Sequence, residues 1–318
     1  MAKMKAMVIP EANKAFELKE VDIPEPQAGE VLLKIEACGV CHGDSMAVGG
    51  MASSYPRIPG HEVVGSVEAL GDGVDGIEVG SRVGIGWHAG NGGVTGLTRD
   101  GGYAEYMTAI ASSLVSIPED LSSAEAAPLL CAGQTVFSAL RNSSARPGDL
   151  VAILGIGGLG HLAVQYAHKS GFEVAAISRG DFKRQLATEL GADHYIDNSD
   201  GSAADQLKTL GGAQVLLVTS ANPEVVKPLI AGMKPGGEII FASTSTDPIG
   251  WSTMDFIGTG ACAKGTFTNA EELERTLKFS TLFDVKPRIE TFRLDQATEA
   301  YDKMMTAKTK FRGVLVMQ

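Results

Sequence analysis

The residues from 150 to 162 constrain the fold of this chain more than any other stretch. An apolar run, Leu150-Val151-Ala152-Ile153-Leu154, leads into Gly155-Ile156-Gly157-Gly158-Leu159-Gly160, and an apolar segment compatible with a helix follows. This order of strand, glycine-rich turn and helix opens a dinucleotide-binding unit, where the helix N-terminus holds a pyrophosphate. Both flanks fit, since 146–149 reads as a turn and Gly171 ends the helical segment.

Each glycine of this turn is predicted to have its own steric role. Gly155 allows the chain to turn tightly after the strand, Gly157 lets the backbone approach the pyrophosphate, and Gly160 allows close packing of helix and strand. Together with Gly158 and Leu159 they form the predicted cofactor-binding turn. The alternative is a glycine-rich turn without a ligand, for which both flanks would have to match by chance.

The segment from about 134 to 284 alternates strand and helix patterns. Short apolar runs mark the predicted strands, at 150–154, 173–177, 194–196, 214–218 and 238–241, with a further candidate at 261–265. Helical stretches separate them, with one expected over 181–190. This alternation predicts a Rossmann-type α/β domain, a doubly wound parallel sheet that binds its cofactor at the carboxyl ends of the strands.

Residues 1–133 instead favour a β-rich, barrel-like domain, because short β-branched runs and frequent glycines dominate there. The run 313–317 is predicted to be a strand that returns to this first domain. We therefore expect two domains, one formed by residues 1–133 with 285–318 and the other by residues 134–284.

Composition excludes several classes of function. The formal net charge of −11 disfavours a nucleic-acid binder, which needs a basic face. No apolar run approaches the roughly 20 residues of a membrane helix, and the N-terminal apolar stretch is too short for a signal peptide. We expect a cytoplasmic protein that associates with neither nucleic acid nor membrane. Four cysteines in 318 residues do not make a disulfide framework.

Three polar side chains outside the dinucleotide unit could together hold a metal ion. Cys41, His61 and Cys131 make up a set of two thiolates and an imidazole that suits zinc and leaves a fourth position open, as a catalytic metal requires. Their scattered spacing is not that of a zinc finger, so buried thiols and a core histidine are an equal alternative. Cys38 and Cys41 could also form a redox pair, but no thioredoxin-like pattern surrounds them.

Several motifs in one order give the chain a family resemblance. They are Gly39-Val40-Cys41-His42-x-Asp44, Pro59-Gly60-His61-Glu62-Val63-Val64-Gly65, Gly101-Gly102-Tyr103-Ala104-Glu105-Tyr106, Cys131-Ala132-Gly133-x-Thr135 and Gly155-x-Gly157-Gly158-x-Gly160-His161. From about Lys5 to Met317 the chain resembles the zinc-dependent alcohol dehydrogenases of the medium-chain dehydrogenase/reductase superfamily, a family that provides a standard example of a two-cysteine, one-histidine catalytic zinc site.

The resemblance implies a metal site built from five residues. Cys41, His61 and Cys131 would be the zinc ligands. Glu62 would lie near the metal and could replace water during ligand exchange, and Asp44 would orient His61.

The resemblance also implies contacts with substrate and cofactor. Trp87 would form an aromatic wall of the substrate pocket, Thr135 would touch the nicotinamide, and His42 and Arg312 would approach the pyrophosphate. The implied reaction is the interconversion of alcohols with aldehydes or ketones, in which zinc acts as a Lewis acid and hydride passes to the nicotinamide.

Two departures from the family pattern matter. Gly43 stands where the family carries a serine or threonine that relays the alcohol proton, and Ser45 is displaced by two positions. The family also carries a lobe of four cysteines that binds a structural zinc between the positions of Trp87 and Gly101, whereas no cysteine here lies between Cys41 and Cys131. We therefore expect one catalytic zinc and no structural zinc. The resemblance leaves open a monomer or a homo-oligomer, dimer or tetramer.

The residues after the second Rossmann strand favour NADP over NAD. An acidic residue about twenty positions past the glycine turn would hold the ribose hydroxyls of NAD. The chain instead places Ser178 and Arg179 there, with Lys183 one turn on, and an arginine can bind a 2′-phosphate. Asp181 is the counter-argument, although it is better placed to start the next helix.

The function expected from these features is that of an NAD(P)-dependent alcohol dehydrogenase acting on a small alcohol or aldehyde. Two rivals stay open at this point. One is a zinc-free quinone or enone reductase on the same scaffold. The other is a folded but impaired nucleotide-binding protein, an alternative that Gly43 and the short lobe support.

Overall fold

The computed structural model describes residues 2–220, 222–266 and 268–317. The chain divides into two compact units, one formed by Met1–Cys131 with Asn269–Gln318 and the other by Ala132–Thr268. The expected fold class, a parallel α/β sheet plus a separate β-rich domain, is confirmed.

The first unit contains a seven-stranded, mostly antiparallel sheet and a separate two-stranded hairpin. Its strands are β1 Lys3–Val8, β2 Glu17–Asp22, β3 Glu30–Val40, β4 Val63–Leu70, β5 Arg82–Ile85, β6 Tyr106–Ile110, β7 Val115–Ser116, β14 Ile289–Arg293 and β15 Arg312–Val316. The order is β14-β15-β3-β4-β5-β7, with β6 paired to β3 and β1-β2 as a separate hairpin. The described helices of this unit are α1 Asp44–Met46, α2 Ser123–Pro128, α9 Ala270–Phe283 and α10 Ala297–Met305.

Strand β15 confirms that the end of the chain returns to the first domain. It pairs antiparallel with β3, with Leu315 opposite Cys38. Four of its five residues are buried, which explains why a continuous rather than alternating apolar pattern marks this strand.

The second unit holds a six-stranded parallel sheet in the order β10-β9-β8-β11-β12-β13. Its strands are β8 Leu150–Leu154, β9 Glu173–Ser178, β10 His194–Asp197, β11 Ala213–Val218, β12 Met233–Phe241 and β13 Cys262–Gly265. The described helices are α3 Gln134–Arg141, α4 Gly160–Lys169, α5 Arg184–Glu189, α6 Ala203–Thr209, α7 Pro223–Val226 and α8 Thr253–Thr259. The strand order reverses between β8 and β11, where doubly wound sheets bind their ligands.

Two details differ from the sequence-based expectations. Helix α9 belongs to the first unit, because it packs against β7, so the second boundary lies at 268/269 rather than at 284/285. Helix α5 begins at Arg184 rather than at Asp181, because residues 181–183 form a turn that the backbone N–H of Arg184 closes on the Asp181 carbonyl.

Among the described residues, none of the helices combines the length and the apolar character that crossing a bilayer requires.

Candidate metal centre and cofactor-binding turn

Four side chains from three distant parts of the sequence converge in the first unit. One ligand atom from each of Cys41, His61, Glu62 and Cys131 lies within 4.8 Å of the other three. The Sγ atoms of Cys41 and Cys131 are 3.9 Å apart. These are the three predicted ligands and the acidic residue expected beside them, and they form the one such group found in residues 2–220, 222–266 and 268–317.

Local backbone geometry brings these residues together. Cys41 directly follows β3, and its backbone N–H donates to Asp44 Oδ2 at 2.9 Å. Gly60, which precedes His61, has a φ of +101°, and a Cβ at that position would come within 2.4 Å of the Tyr103 ring. Only glycine satisfies both conditions, so the Gly60-His61-Glu62 turn delivers the imidazole to the cluster.

The Asp44 carboxylate organises the histidine. Asp44 Oδ1 accepts from His61 Nδ1 at 2.8 Å, and Oδ2 accepts from the Tyr103 hydroxyl at 2.9 Å. All three side chains are buried. Because Nδ1 is engaged, the other ring nitrogen is available, and His61 Nε2 is buried without a hydrogen-bond partner in the described part of the chain. The Asp44 position agrees with the orienting role predicted for it.

Tyr103 is the member of this network that sequence reasoning missed. It lies in the Gly101-Gly102-Tyr103 motif, which contributed to the family resemblance without a role for the tyrosine. No periodicity or spacing connects Tyr103 with Asp44, because the contact joins residues 59 positions apart.

The electrostatics of the cluster favour a thiolate. The hydrogen bond from the Cys131 thiol holds the pKa of Cys41 well below its ordinary value, and the neighbouring His61 and Arg312 act in the same direction. Burial disfavours a charged His61, but the carboxylate of Asp44 and the Cys41 thiolate together raise the pKa of this imidazole. A thiolate, a second thiol and an oriented imidazole therefore face one another.

Glu62 and Arg312 form a buried ion pair beside the cluster. The Arg312 guanidinium donates to Glu62 Oε1, and their exposed fractions are 4% and 0%. Burial raises the pKa of Glu62 to about 8, although Arg312 opposes that rise. Glu62 Oε2 has no hydrogen-bond partner among the described residues. Arg312 thus engages the carboxylate in this structure, and its contact with a pyrophosphate stays a prediction.

The donor set fits a tetrahedral zinc ion. Two sulfurs bound at about 2.3 Å to such an ion lie about 3.8 Å apart, and the observed separation is 3.9 Å. The unpartnered His61 Nε2 would supply the nitrogen ligand, and the unpartnered Glu62 Oε2 would offer an oxygen close by. Two sulfurs, one imidazole and one oxygen are a typical zinc ligand set.

Trp87 lies against the candidate metal site, and its position bears on Gly43. The Trp87 ring meets the His61 ring edge to face with centroids 4.9 Å apart. A Cβ at Gly43 would come within 2.9 Å of His61 Cε1 and 3.0 Å of the Trp87 ring. The space that a serine or threonine side chain would need at position 43 is therefore already narrowed by these two rings.

The structure disfavours a redox pair of Cys38 and Cys41 and gives two other histidines ordinary structural contacts. Cys38 is buried, and burial raises the pKa of its thiol, which disfavours a reactive redox pair with Cys41. His161 has the ordinary structural role expected of it, since its Nδ1 lies 2.9 Å from the Gly157 carbonyl. His194 likewise pairs with Glu173 at 2.7 Å.

The glycine-rich turn of the second unit has the predicted sterics. Gly155 has a φ of +93°, a conformation that favours glycine, and a Cβ at Gly160 would meet the Gly155 carbonyl oxygen at 1.7 Å. Nothing lies within 4 Å of a Cβ built at Gly157, so the backbone there is open to approach. Gly158 and Leu159 complete the turn, and α4 begins at Gly160.

The predicted 2′-phosphate residues follow β9. Ser178 ends the strand, and Arg179 is exposed with no side-chain hydrogen bond or ion pair in the described ranges. Lys183 Nζ donates to the Ile156 carbonyl at 2.7 Å, which connects this segment to the glycine-rich turn. Of the remaining predicted cofactor residues, Thr135 lies in α3 and His42 is exposed beside Cys41.

Comparison with known proteins places the chain in a family. Residues 27–119 match the alcohol dehydrogenase GroES-like domain, and residues 158–281 match the zinc-binding dehydrogenase domain. An alcohol dehydrogenase of Penicillium expansum is 38% identical over 98% of this chain and 97% of its own length. One from Geobacillus stearothermophilus is 38% identical over 99% of each chain. The crystal structure of the alcohol dehydrogenase from Aeropyrum pernix is 28% identical, covers 98% of this chain and 99% of its own, and superposes with a TM-score of 0.89.

The chain therefore belongs to the medium-chain alcohol dehydrogenases, which are NAD(P)-dependent oxidoreductases. The family resemblance drawn from the five motifs is confirmed, and so is the expected enzyme class.

Proposed function

We propose that this protein interconverts alcohols with aldehydes or ketones, using one zinc ion held by Cys41, His61 and Cys131 and preferring NADP to NAD. The observation that carries the proposal is the convergence of these three side chains, with Glu62, on a common point. The match to the zinc-binding dehydrogenase domain supports it.

The residues around this point have separable roles. Zinc, when bound, would supply Lewis acidity that favours loss of the alcohol proton. Asp44 fixes the tautomer and orientation of His61, and Trp87 provides an apolar wall next to it. Gly43 has no hydroxyl to pass on the proton, so that transfer must use water or another group such as Ser45, which is partly buried two residues further on.

We propose a single zinc per chain. The segment 88–100, where the family carries its cysteine lobe, forms a short structure in which His88 bridges to Val94 and Gly93 N–H donates to the Gly90 carbonyl at 2.8 Å. Neither this segment nor the rest of residues 42–130 contains a cysteine.

The direct test is an assay of the purified protein with a panel of primary and secondary alcohols and each cofactor. We expect alcohol-dependent NADP reduction that is lost when a chelator removes the metal and returns with Zn²⁺. Reduction of quinones or enones that survives metal removal, without alcohol oxidation, would instead identify the zinc-free reductase. Cofactor binding without turnover on any alcohol would identify an impaired nucleotide-binding protein.

Removing the Tyr103 hydroxyl is expected to weaken zinc binding. In Tyr103→Phe the Asp44 carboxylate loses one of its donors and holds His61 less firmly, and loss of such an outer partner costs about tenfold or more in metal affinity. Competition with a chromophoric chelator measures the zinc Kd directly. Tyr106→Phe is the matched control, since Tyr106 lies in β6 and takes no part in the Asp44 network. Equal zinc affinity in both variants would remove Tyr103 from this role.

Replacing Arg179 is expected to reverse the cofactor preference. Arg179→Ala removes the proposed hydrogen bonds to the charged 2′-phosphate. The loss of their contribution to the binding free energy should raise KM for NADP about 10- to 100-fold, while KM for NAD changes little. Steady-state kinetics with both cofactors measures the effect. A wild-type protein with higher kcat/KM for NAD than for NADP would contradict the proposed preference.

A further inference from the structure

Strand β10 makes side-chain contacts with the turn that follows the neighbouring strand β9. Tyr195 and Asp197 lie on this strand, and both reach across to the turn that follows β9. The two strands are parallel neighbours, with Tyr195 opposite Ala176 and Asp197 opposite Ser178. Their side chains therefore lie beside the segment 178–183, which contains the residues predicted to bind the 2′-phosphate.

These contacts converge on Gly180. The Tyr195 hydroxyl donates to the Gly180 carbonyl at 2.6 Å, and the Gly180 N–H donates to Asp197 Oδ1 at 2.7 Å. The same N–H lies 3.0 Å from the Ser199 hydroxyl, which itself donates to Asp197 Oδ1 at 2.6 Å. Both polar groups of Gly180 are thus held from the neighbouring strand, and its φ of +71° is a conformation that favours glycine.

These contacts with Gly180 also constrain the backbone of the preceding residue, Arg179. Its carbonyl carbon and the Gly180 nitrogen belong to one planar peptide, so fixing the Gly180 N–H also fixes the backbone on the C-terminal side of Arg179. On the other side, Ser178 is held by its strand, and its carbonyl accepts from the Asn198 N–H at 2.9 Å. The position of the Arg179 Cα and the direction of its Cα–Cβ bond are therefore set, while its guanidinium makes no ion pair or hydrogen bond in the described residues.

Of the three cations in and next to this turn, Arg179 is the one whose side chain has no partner among the described residues. Arg184 pairs with Asp181 at 2.7 Å, and its guanidinium lies 4.8 Å from the centre of the Tyr195 ring. Asp197 directs its Oδ1 at backbone and hydroxyl donors. Lys183 is tied to the Ile156 carbonyl. The neighbouring carboxylates are thus already engaged, while the Arg179 guanidinium is paired with none of them.

We propose that Tyr195 and Asp197 are positioning residues for cofactor specificity, which hold Gly180 so that Arg179 presents its guanidinium to the 2′-phosphate of NADP. This inference rests on the proposed preference for NADP. It adds two residues of a neighbouring strand to the specificity determinants, neither of which touches the phosphate. Binding of the dianionic phosphate then requires little reordering of the backbone, which lowers the entropic cost of recognition.

The test is a double-mutant cycle on the full-length enzyme, with KM and kcat measured for both cofactors. Tyr195→Phe removes one hydroxyl and keeps the ring beneath Arg184. We expect KM for NADP to rise about fivefold, the effect of one lost hydrogen bond, with a smaller change for NAD and kcat at saturating cofactor within about twofold. In an Arg179→Ala background the same substitution should have no further effect on KM for NADP, because the residue it positions is gone.

Asp197→Ala should behave as Tyr195→Phe does, and Asp197→Asn, which keeps an oxygen acceptor for the Gly180 N–H, should recover most of the loss. His194→Gln is the matched control on the same strand, because His194 pairs with Glu173 and not with the turn. It should leave both KM values unchanged.

The outcomes separate this inference from the proposal beneath it. If Arg179→Ala raises KM for NADP but Tyr195→Phe and Asp197→Ala do not, the positioning role is wrong and the NADP preference stands. Additive effects of Arg179→Ala and Tyr195→Phe, or equal losses for NAD and NADP, would also overturn the positioning role. If Arg179→Ala itself has no effect on KM for NADP, both the preference and the inference fall.

Discussion

Cys131→Ser is expected to abolish alcohol oxidation while leaving the protein folded. The substitution removes one of two sulfur ligands, and serine is a much weaker ligand for zinc at neutral pH. A metal supplies several kcal/mol of transition-state stabilisation, so kcat/KM should fall by about a thousandfold or more. The value of kcat/KM and the zinc content, measured on the same preparation, should decrease together.

Cys262→Ser provides the matched control for this variant. Cys262 is exposed, lies on β13 of the second unit and belongs to no ligand cluster among the described residues. It should retain wild-type metal content and activity. A Cys131→Ser protein that keeps its zinc and a kcat/KM within a few fold of the wild type would show that Cys131 is not a ligand.

Arg312→Met should destabilise the first unit more than any surface charge change. Arg312 and Glu62 are buried together, and removing one partner of a buried pair costs about 3–5 kcal/mol because the other group is left in the interior without its partner. Glu62→Gln in the same chain should recover most of that loss, since it removes the carboxyl group left without its partner. Urea unfolding of the metal-free protein measures the effect, because zinc would offer Glu62 another partner.

The tryptophans allow this unfolding to be assigned to one unit. Trp87 lies in the first unit and Trp251 in the second, so in a Trp251→Phe background the fluorescence reports the first unit alone. Arg293→Met is the matched control, since the Arg293–Asp295 pair at 3.0 Å is half exposed and such pairs contribute about 0–1 kcal/mol. Equal stability of the Arg312→Met and Arg293→Met proteins would show that the buried pair contributes little.

The second unit could be predicted from the sequence because its signals are local. The strand, the glycine turn and the helix at 150–169 are adjacent in the chain, and the steric demands of Gly155 and Gly160 follow from backbone geometry alone. The alternation of strands and helices then fixes a parallel sheet. The start of α5 was wrong because the Asp181 carboxylate pairs with Arg184 instead of capping the helix, a competition that residue preferences do not resolve.

The metal centre was only partly predictable. Residue chemistry identified Cys41, His61 and Cys131 as zinc-type donors but could not bring them together, because Cys41 and Cys131 are 90 positions apart. The order of five motifs supplied that step by resemblance. Two contacts hold the site: Tyr103 with Asp44, and Arg312 with Glu62. The partners are 59 and 250 positions apart in sequence, so they meet only when the sheet forms, and no local pattern encodes them.

The metal content of the purified wild-type protein tests the central claim most directly. Native mass spectrometry, with elemental analysis to identify the metal, should find one zinc ion per chain and none in Cys131→Ser. A fully active alcohol dehydrogenase without zinc, or a protein that keeps its zinc when Cys41, His61 and Cys131 are replaced, would contradict it.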